Sequence, residues 1–513
     1  MTTQQFVVPA IDYGALLPVI VVLGAAVVAI LVDAFAPVRL RAAIDVTVSV
    51  VALVAALVLL LVRAGTDVVT ANGAVVVDGP ALVAQAAIVA FTLASVVLYT
   101  EKRLDPAGDS FAPAGASVPG SELERVLTLQ RTQQTEVYAL TLFAAGGMMT
   151  MVAANDLLTM FVALEVLSLP LYLLSSLSRR KRLLSQESGL KYFLLGAFAS
   201  AFFLYGTALV YGATGSLNLA GIDAAVSANV GVESLLLVGT GMVAVGLLFK
   251  ISAVPFQFWT PDVYQGAPTV VTGFMAAATK VAAFVALMRV LYVGLGGLVA
   301  DWTLLLSVVA GLTMLVGSVL ALSQTDIKRL LAYSSIAHAG FLLVGLVAAS
   351  PSGTAAALFY LAVYGITTIG AFAVVTLVRD AGGEATHLSS WAGLGRRSPL
   401  VAGAFALFLL SFAGIPLTSG FVAKLSVFAA AFDAGQVVLV LVGVLASAIA
   451  AFFYLRVIVL MFFSEPAPDG PTVSVPSIAT AVVITVAAGL TVWFGVLPGS
   501  LLDLVQQASE FVR

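Results

Sequence analysis

The chain has 513 residues, of which 61% are hydrophobic and only 10% are charged, and its mean hydropathy is +1.11. A soluble domain carries roughly 25% charged residues, so this chain has too few charges to cover a water-facing surface and is predicted to be an all-α polytopic membrane protein. The net charge of −3 argues against a nucleic-acid partner, and the absence of cysteine excludes thiolate iron-sulfur ligation, disulfides and thiol redox chemistry.

The apolar runs predict about fourteen transmembrane helices, because one span needs about 20 apolar residues. In chain order the predicted spans are 14–35, 41–62, 80–100, 136–154, 156–178, 189–213, 234–259, 268–293, 302–323, 328–349, 354–379, 399–430, 436–462 and 475–497. The longest polar stretch, 101–135, is too short for a domain and is predicted to be a loop. The first run lacks the basic region of a signal peptide and is predicted to be a retained helix.

Lysine and arginine concentrate in loops on one side of the predicted membrane. The loops after odd-numbered helices contain most of them, namely Arg39, Arg41, Lys102, Arg103, Arg125, Arg131, Arg179, Arg180, Lys181, Arg182, Lys328, Arg329, Arg379, Arg396 and Arg397. The opposite side has little more than Arg63 and Arg513. The positive-inside rule therefore predicts that the basic loops face the cytoplasm of a cell-membrane protein and that both termini face outside.

Two of the predicted helices are interrupted by proline. The seventh is broken at Pro255, and the twelfth is broken around Gly414 and Pro416. They lie five helices apart and so run in opposite directions, which is typical of an inverted repeat; the alternative is that proline is simply common in membrane helices. We predict one transmembrane domain composed of helices 1–3 and a loop (1–135), an inverted repeat of helices 4–8 (136–293), its partner of helices 9–13 (302–462), and helix 14 (463–513).

Charged side chains inside the predicted spans are functional-site candidates, because a charge within hydrocarbon is costly unless it is paired or hydrated. Glu165 lies near the middle of the fifth span, and Lys250, Lys280 and Lys424 are its available partners. We predict a pair between Glu165 and one lysine; the alternative is a neutral carboxyl group packed against a hydroxyl. A lysine whose protonation depends on a movable carboxylate is a proton gate, whereas the alternative for Lys250 is snorkelling to an interface.

Polar residues near these lysines extend the candidate site. Ser334 and Ser335 lie on the same helical face as His338, which is either a satisfied core residue or a proton relay. Glu187 and Lys191 form an i,i+4 pair at the predicted cytoplasmic end of the sixth helix. This pair is either a solvated headgroup contact or part of a proton-uptake path.

The remaining charges near span ends have simpler interpretations. Asp156 is predicted to cap the fifth helix. Arg289 and Arg456 are predicted to be interfacial, and Arg456 is the better candidate for a conduit. The sequence contains no nucleotide fingerprint, catalytic triad or metal-ligand cluster.

Five motifs between residues 155 and 428 carry a resemblance to a known family. They are NDLLTMFVALEVLSLPLYLL, ESGLKYFLLGAF, VPFQFWTPDVYQGAPTVVTGF, QTDIKRLLAYSSIAHAGFLL and GIPLTSGFVAKLSVF. Together they closely resemble subunit N of bacterial NADH-quinone oxidoreductase, which is respiratory complex I. The sibling subunits M and L usually have PDAH-like residues in place of PDVY, and subunit M has a glutamate at the position of Lys424.

The resemblance implies a proton-translocating subunit of the membrane arm, with electron transfer from NADH to quinone taking place in other subunits. It implies no cofactor in this chain, and it places FMN, iron-sulfur clusters and quinone in partner subunits. The expected partners are antiporter-like subunit M, small membrane subunits such as K, J and A, and the lipid bilayer.

The resemblance also implies roles for the candidate residues, matched position by position. Glu165 and Lys250 are expected to be the modulating pair, Lys280 and His338 the central relay, and Lys424 the terminal lysine. Glu187 and Lys191 match the family's second charged pair.

Two other function classes fit the same residues. A subunit of a non-redox cation/proton antiporter complex predicts sodium-dependent exchange without NADH. A non-conducting structural subunit of the membrane arm predicts that neutralising the buried charges leaves pumping intact, while deletion of the chain prevents assembly. A free-standing solute transporter is disfavoured, because nothing in the sequence suggests a substrate pocket.

Overall fold

A computed structural model describes residues 11–104, 108–112, 115, 117–129, 133–228, 233–380, 382–466 and 470–512. Within those ranges, thirteen helices are long and apolar enough to cross a membrane. Arg131 and Arg513, which entered the predicted orientation, lie outside the described residues.

The described structure is mostly helical. In chain order the helices are α1 (Tyr13–Phe35), α2 (Val38–Val62), α3 (Gly79–Tyr99), α4 (Glu122–Leu129), α5 (Glu136–Ala153), α6 (Leu157–Ser175), α7 (Arg182–Thr214), α8 (Leu219–Ser227), α9 (Glu233–Ile251), α10 (Trp259–Gly266), α11 (Thr269–Phe274), α12 (Lys280–Arg289), α13 (Val299–Leu322), α14 (Ile327–Val347), α15 (Pro351–Val375), α16 (Leu394–Arg397), α17 (Pro399–Ala413), α18 (Ser419–Asp433), α19 (Val437–Phe463), α20 (Ile478–Val496) and α21 (Gly499–Gln507).

Shorter elements complete the fold. The π-helical turns Met275–Thr279 and Val290–Gly294 follow α11 and α12, so Thr269–Gly294 is one continuous span. Strands β1 (Val68–Thr70) and β2 (Val75–Val77) form a hairpin between α2 and α3. Strand β3 (Val378–Asp380) pairs with β4 (Gly383–Glu384) and β5 (Thr472–Val473), which joins the segment after α15 to the segment after α19.

Both predicted helix breaks are present. The seventh predicted helix ends at Ile251, earlier than predicted, and a non-helical segment at 252–258 containing Pro255 separates α9 from α10. The twelfth consists of α17 and α18, which are joined through Gly414 at a φ of +82°, a conformation that favours glycine. Neither α17 nor α18 is long enough to count as a span by itself, so this helix is not among the thirteen. The total of fourteen crossings and the two inverted repeats therefore stay predictions.

The described part of the predicted loop at 101–135 contains a short helix and contacts to a distant helix. It contains α4, and two ion pairs attach it to the start of α7: Asp109 to Arg179 at 2.6 Å and Glu124 to Arg182 at 3.2 Å. The segment still connects two spans, as predicted, and the ion pairs of its described charges hold it against α7.

The core lies around the helices that carry the candidate site. In Thr269–Gly294 all residues of the most apolar 18-residue stretch are buried, and in α14 94% of them are. In α20 only 17% of the residues in the corresponding stretch are buried. Lys280 and His338 lie in these two central helices. These two side chains therefore occupy the middle of the bundle.

Candidate functional site

Three lysines and one histidine lie in the interior of the bundle. Lys250, Lys280, His338 and Lys424 are 4%, 2%, 3% and 5% exposed, respectively. An ionisable group at such a position must find polar partners, since burial without them is costly. All four side chains bond to protein groups, so snorkelling to an interface does not describe Lys250 in this structure.

Lys250 lies in the last turn of α9, immediately before the first helix break. Its Nζ atom donates a hydrogen bond to the Ser168 hydroxyl at 2.7 Å and lies 3.5 Å from the Tyr192 hydroxyl. The ring centroids of Tyr172 and Tyr192 are 5.5 and 5.1 Å from Nζ, within cation–π range. Tyr192 in turn stacks on Trp259 in α10, so aromatic packing connects the two sides of the break.

The predicted direct pair between Glu165 and Lys250 is not formed. Within the described residues no ion pair includes Glu165, and one of its carboxylate oxygens is buried without a hydrogen-bond partner. Ser168 lies one turn further along α6, so the Cβ atoms of the two residues are about 5–6 Å apart. The serine hydroxyl takes the hydrogen bond from Lys250 that was predicted for the carboxylate.

Lys280 lies at the start of α12, directly after a π-helical turn. Such turns occur frequently at functional sites. Its Nζ atom donates to the backbone carbonyl of Ser335 in α14 at 2.5 Å and lies 5.7 Å from the centroid of the Tyr364 ring. The hydroxyl of Ser335 bonds to that of Tyr264 at 3.4 Å. Ser335 is therefore the point at which Lys280, α10 and α14 meet.

Both ring nitrogens of His338 are hydrogen-bonded to tyrosines. Nδ1 lies 2.7 Å from the Tyr360 hydroxyl, and Nε2 lies 3.3 Å from the Tyr454 hydroxyl. Tyr454 also bonds to the hydroxyl of Ser334. A neutral imidazole has one donor and one acceptor nitrogen, so it can accept a proton on one side and release another on the opposite side.

Lys424 lies in α18, just after the second helix break. Its Nζ atom donates to the carbonyl of Ala413, the last residue of α17, at 3.0 Å and to the Ser447 hydroxyl at 2.9 Å. The C-terminus of a helix favours a cation, because its carbonyl groups carry partial negative charge. The Phe341 ring centroid lies 4.6 Å from the same nitrogen.

The predicted pair of Glu187 and Lys191 is part of a larger charged cluster. Lys191 bonds to Glu187 at 2.6 Å and to Asp262 in α10 at 2.6 Å, and Asp262 also bonds to Arg329 in α14 at 2.7 Å. All four side chains are between 28% and 53% exposed. We define these residues as the four-residue charged cluster; it adjoins the first helix break.

Several residues of the site were not identified from the sequence. Asp262 and Arg329 lie far apart along the chain, so the sequence does not show that they meet. The positions of the tyrosines in the sequence do not show whether a ring only packs or whether its hydroxyl takes part in hydrogen bonds. Lys328 was assigned to a loop, but it is 3% exposed and donates to the Ala267 carbonyl at 2.7 Å. The signal that could have placed Lys328 in the helix is Asp326, which caps α14 two residues earlier.

The interfacial prediction for Arg289 was wrong. Its side chain is fully buried, forms an ion pair with Asp78 at 2.6 Å and donates to the Val152 carbonyl at 3.1 Å. Asp78 follows a hairpin that turns it into the bundle, which periodicity does not indicate. By contrast, Arg456 is exposed, and Asp156 caps α6 as predicted. In the part of the chain that the structure describes, no three His, Asp or Glu side chains are grouped closely enough to hold a metal.

A helical membrane protein with two broken helices and a row of buried lysines belongs to the antiporter-like class. The family described as NADH:quinone oxidoreductase/Mrp antiporter, TM matches residues 154–450, more than half of the chain. A chain of the Mrp complex from Dietzia sp. DQ12-45-1b shares this fold, with a TM-score of 0.79, 24% identity, and coverage of 96% of this chain and 97% of that one.

Relatives that match over their full length show to which family within this class the chain belongs. A protein from Rhodococcus opacus named NADH-quinone oxidoreductase subunit N is 55% identical, with 100% of both chains covered. A chain of respiratory complex I from Thermus thermophilus has a similar structure, with a TM-score of 0.77 and 35% identity. The match covers 96% of this chain and 100% of that one. The chain belongs to the family of NADH-quinone oxidoreductase subunit N.

Proposed function

We propose that this chain transports protons in the membrane arm of an NADH:quinone oxidoreductase, while other subunits carry electrons from NADH to quinone. The observation that carries the proposal is the row of Lys250, Lys280, His338 and Lys424, all buried and bonded to hydroxyls or carbonyls. The subunit N relatives support the choice of complex. The chain itself holds no cofactor in this proposal; FMN, iron-sulfur clusters and quinone belong to its partners.

The bonds of the three lysines are suited to reversible protonation. Each described hydrogen bond from their Nζ atoms goes to a neutral oxygen, and within the described ranges none of the three forms an ion pair. Loss of a proton from one lysine therefore leaves no bonded carboxylate without its counter-charge. Glu165, one helical turn before Ser168 in α6, acts on Lys250 through space.

Hydroxyl and ring contacts connect neighbouring members of the row. From Lys250 the contacts run through Tyr192 and Trp259 to Tyr264, whose hydroxyl bonds to Ser335 beside Lys280. The Tyr364 ring lies between Lys280 and His338, at 4.9 Å from the imidazole centroid.

A small cavity adjoins His338 and reaches Ala423, the residue before Lys424. Its lining includes His338, Tyr360, Tyr364 and Ser411, and it leaves ≈ 10 Å³ open to the centres of water molecules. About 10–15 Å³ of such volume holds one water. We infer that a single water molecule completes this step of the relay.

The four-residue charged cluster is the inferred site of proton uptake. It is partly exposed, and its members belong to α7, α10 and α14, which surround the first break. The alternative, a solvated pair at the headgroups, predicts that Asp262→Asn leaves transport unchanged. Loss of proton uptake in D262N with normal assembly supports the uptake role.

The arrangement of the chain within the complex belongs to the same proposal. We infer a cell-membrane location with the basic loops facing the cytoplasm, subunit M and small membrane subunits such as K, J and A as neighbours, and two inverted five-helix repeats around the lysine row.

The decisive experiment replaces Lys250 by alanine in the assembled complex. Lys250→Ala is expected to abolish proton pumping by this chain, because the row loses its first member; Lys102→Ala, an exposed lysine in the loop after α3, is the matched control. The measurement is protons translocated per NADH oxidised in reconstituted vesicles. Unchanged stoichiometry in K250A overturns the proposal, and sodium-dependent exchange without NADH indicates the antiporter class instead.

A further inference from the structure

A cavity outside the lysine row lies where segments far apart in the sequence meet. Its lining comes from the turn between α6 and α7, the junction of α10 and α11, the start of α14 and the segment after α15. The cavity leaves ≈ 40 Å³ open to the centres of water molecules, which is room for about three waters. A phosphate group is of comparable size.

Basic side chains dominate the lining of this cavity, which we define as the basic cavity. The basic members are Arg179, Arg180, Lys181, Lys328 and Arg379, and the acidic member is Glu384. Arg179 forms its ion pair with Asp109, and the Glu384 carboxylate accepts a hydrogen bond from the Thr269 hydroxyl. The described lining therefore carries more positive than negative charge.

Two lysines of the basic cavity have N–H donors to spare. The Nζ atom of Lys181 donates to the Thr386 hydroxyl at 3.2 Å, and that of Lys328 donates to the Ala267 carbonyl at 2.7 Å. Among the described residues, neither lysine forms an ion pair. Because an ammonium group has three donors, each lysine can bond to a ligand as well. Lys328 is only 3% exposed, and a buried charge requires a counter-charge or extensive hydrogen bonding.

The backbone around Lys181 is strained and closely packed. Lys181 has a φ of +55°, in the left-handed region that favours glycine. A Cβ atom at Gly383 would lie 3.2 Å from the Cγ atom of Arg180, so the segment after α15 passes close to this turn. Strained residues of this kind persist where the surrounding structure holds them, and they are found at ligand clamps.

The basic cavity lies at the ends of membrane spans. Ser178 follows the end of α6, Lys328 is the second residue of α14, and Arg379 follows the end of α15. Span ends meet the headgroup region of the bilayer, and basic pockets between helices on the cytoplasmic side are typical binding sites for anionic headgroups. The loops that contain these residues belong to the side predicted to face the cytoplasm.

We propose that the basic cavity binds a phosphate group, with Lys181 and Lys328 as its main ligands. A lysine ammonium binds phosphate as a compact point charge. An anionic phospholipid and inorganic phosphate supply the same group, the first from the bilayer and the second from the cytoplasm. The bound anion compensates the buried charge of Lys328 and joins the turn before α7 to the segment after α15.

Binding of radiolabelled inorganic phosphate to the delipidated, assembled complex tests the proposal. Lys181→Gly removes the ammonium group without straining the backbone, because glycine readily adopts a positive φ. The wild-type complex is expected to bind one more phosphate than K181G, and phosphate sites elsewhere in the complex cancel in this comparison. Sulfate is expected to compete for the additional site, whereas chloride at the same ionic strength is not. Lys102→Gly, which removes the same charge from an exposed position in another basic loop, is the matched control.

The lipid content of the purified complex distinguishes the two sources of phosphate. If the ligand is a phospholipid, the wild type carries one more anionic lipid than K181G, and inorganic phosphate binds only after the lipid is removed. If the ligand is inorganic phosphate, the two complexes carry equal amounts of lipid, and phosphate binds to the wild type before delipidation as well.

Two results overturn the proposal. Equal phosphate binding by the delipidated wild type and K181G shows that the cavity holds only water and that Glu384 is a sufficient counter-charge. An equal loss in K102G and K181G shows only a general attraction of the basic loops for anions. If K181G fails to assemble, Lys328→Gln, whose amide still donates to Ala267, is expected to lose the same phosphate, and retention of it contradicts the proposal. The readout is phosphate occupancy, so it is independent of proton pumping.

Discussion

At the residue scale, neutral hydroxyls are the main partners of the buried basic groups. Lys250 bonds to Ser168, Lys424 bonds to Ser447, and His338 bonds to two tyrosines. A salt bridge holds a charge in place, whereas a hydroxyl both donates and accepts and thus tolerates either protonation state. This property distinguishes the row from the fully buried Arg289–Asp78 pair, whose charges stabilise each other.

Tyr454 gives the sharpest test at this scale. Tyr454→Phe removes the hydroxyl that connects Ser334 to His338 but keeps the buried ring. One hydrogen bond contributes about 0.5–1.5 kcal/mol, so the proton-transport rate is expected to fall roughly 2- to 10-fold. The measurement is the initial rate of proton uptake in vesicles, and Y205F, at an exposed position in α7, is the control. Equal rates in Y454F and Y205F contradict a role for this hydroxyl.

At the element scale, the two helix breaks place a helix end beside a lysine. Lys250 lies at the end of α9, and Lys424 bonds to the final carbonyl of α17. A helix end leaves carbonyl groups without internal partners, and a membrane tolerates such groups only where protein or water bonds to them. The breaks therefore create the polar positions that the lysines occupy.

The second break depends on the close approach of α17 and α18. A Cβ atom at Gly420 would lie 1.8 Å from the backbone oxygen of Ser411, so Gly420→Ala must push the two helices apart. Overpacking of this kind costs about 1–3 kcal/mol, and G420A is expected to lower the yield of assembled complex and its unfolding temperature. G403A, in α17 with open space around its Cβ, is the control. Normal stability in G420A would show that the break is more adaptable than this packing indicates.

At the scale of the whole molecule, residues distant in sequence hold the outer helices to the core. Glu101, which follows α3, accepts two hydrogen bonds from the start of α20, each at 2.7 Å. One comes from the backbone N–H of Ser477, and the other comes from the hydroxyl of Thr480. Burial by itself raises the pKa of Glu101, but hydrogen bonds from Arg103, Thr480 and Ser477 outweigh it and hold the pKa below the ordinary value of 4.5.

The lowered pKa of Glu101 predicts how the stability of the folded protein depends on pH. Because the folded state has the lower pKa, the contribution of Glu101 to stability is fully present above about pH 4.5 and is lost as the pH falls through the folded-state pKa. The thermal unfolding midpoint of the wild-type complex is expected to exceed that of Glu101→Gln at pH 7 and to converge with it in acid. A difference that stays constant down to pH 3 would contradict this assignment.

Local sequence patterns predicted the membrane class, nearly all of the spans, both helix breaks and the buried lysines and histidine. These features follow from local properties: an apolar run long enough to cross the bilayer, a proline that cannot donate a backbone hydrogen bond, and a charge in the middle of hydrocarbon. They need no knowledge of which helices are neighbours.

Which groups face each other depends on how the helices pack together. Ser168 rather than Glu165 bonds to Lys250, Asp262 joins Lys191 to Arg329, and Arg289 pairs with Asp78 in the core instead of reaching an interface. Hydropathy fixes the depth of a residue in the membrane, but the rotation of each helix and the choice of its neighbours arise from packing between segments far apart in the chain.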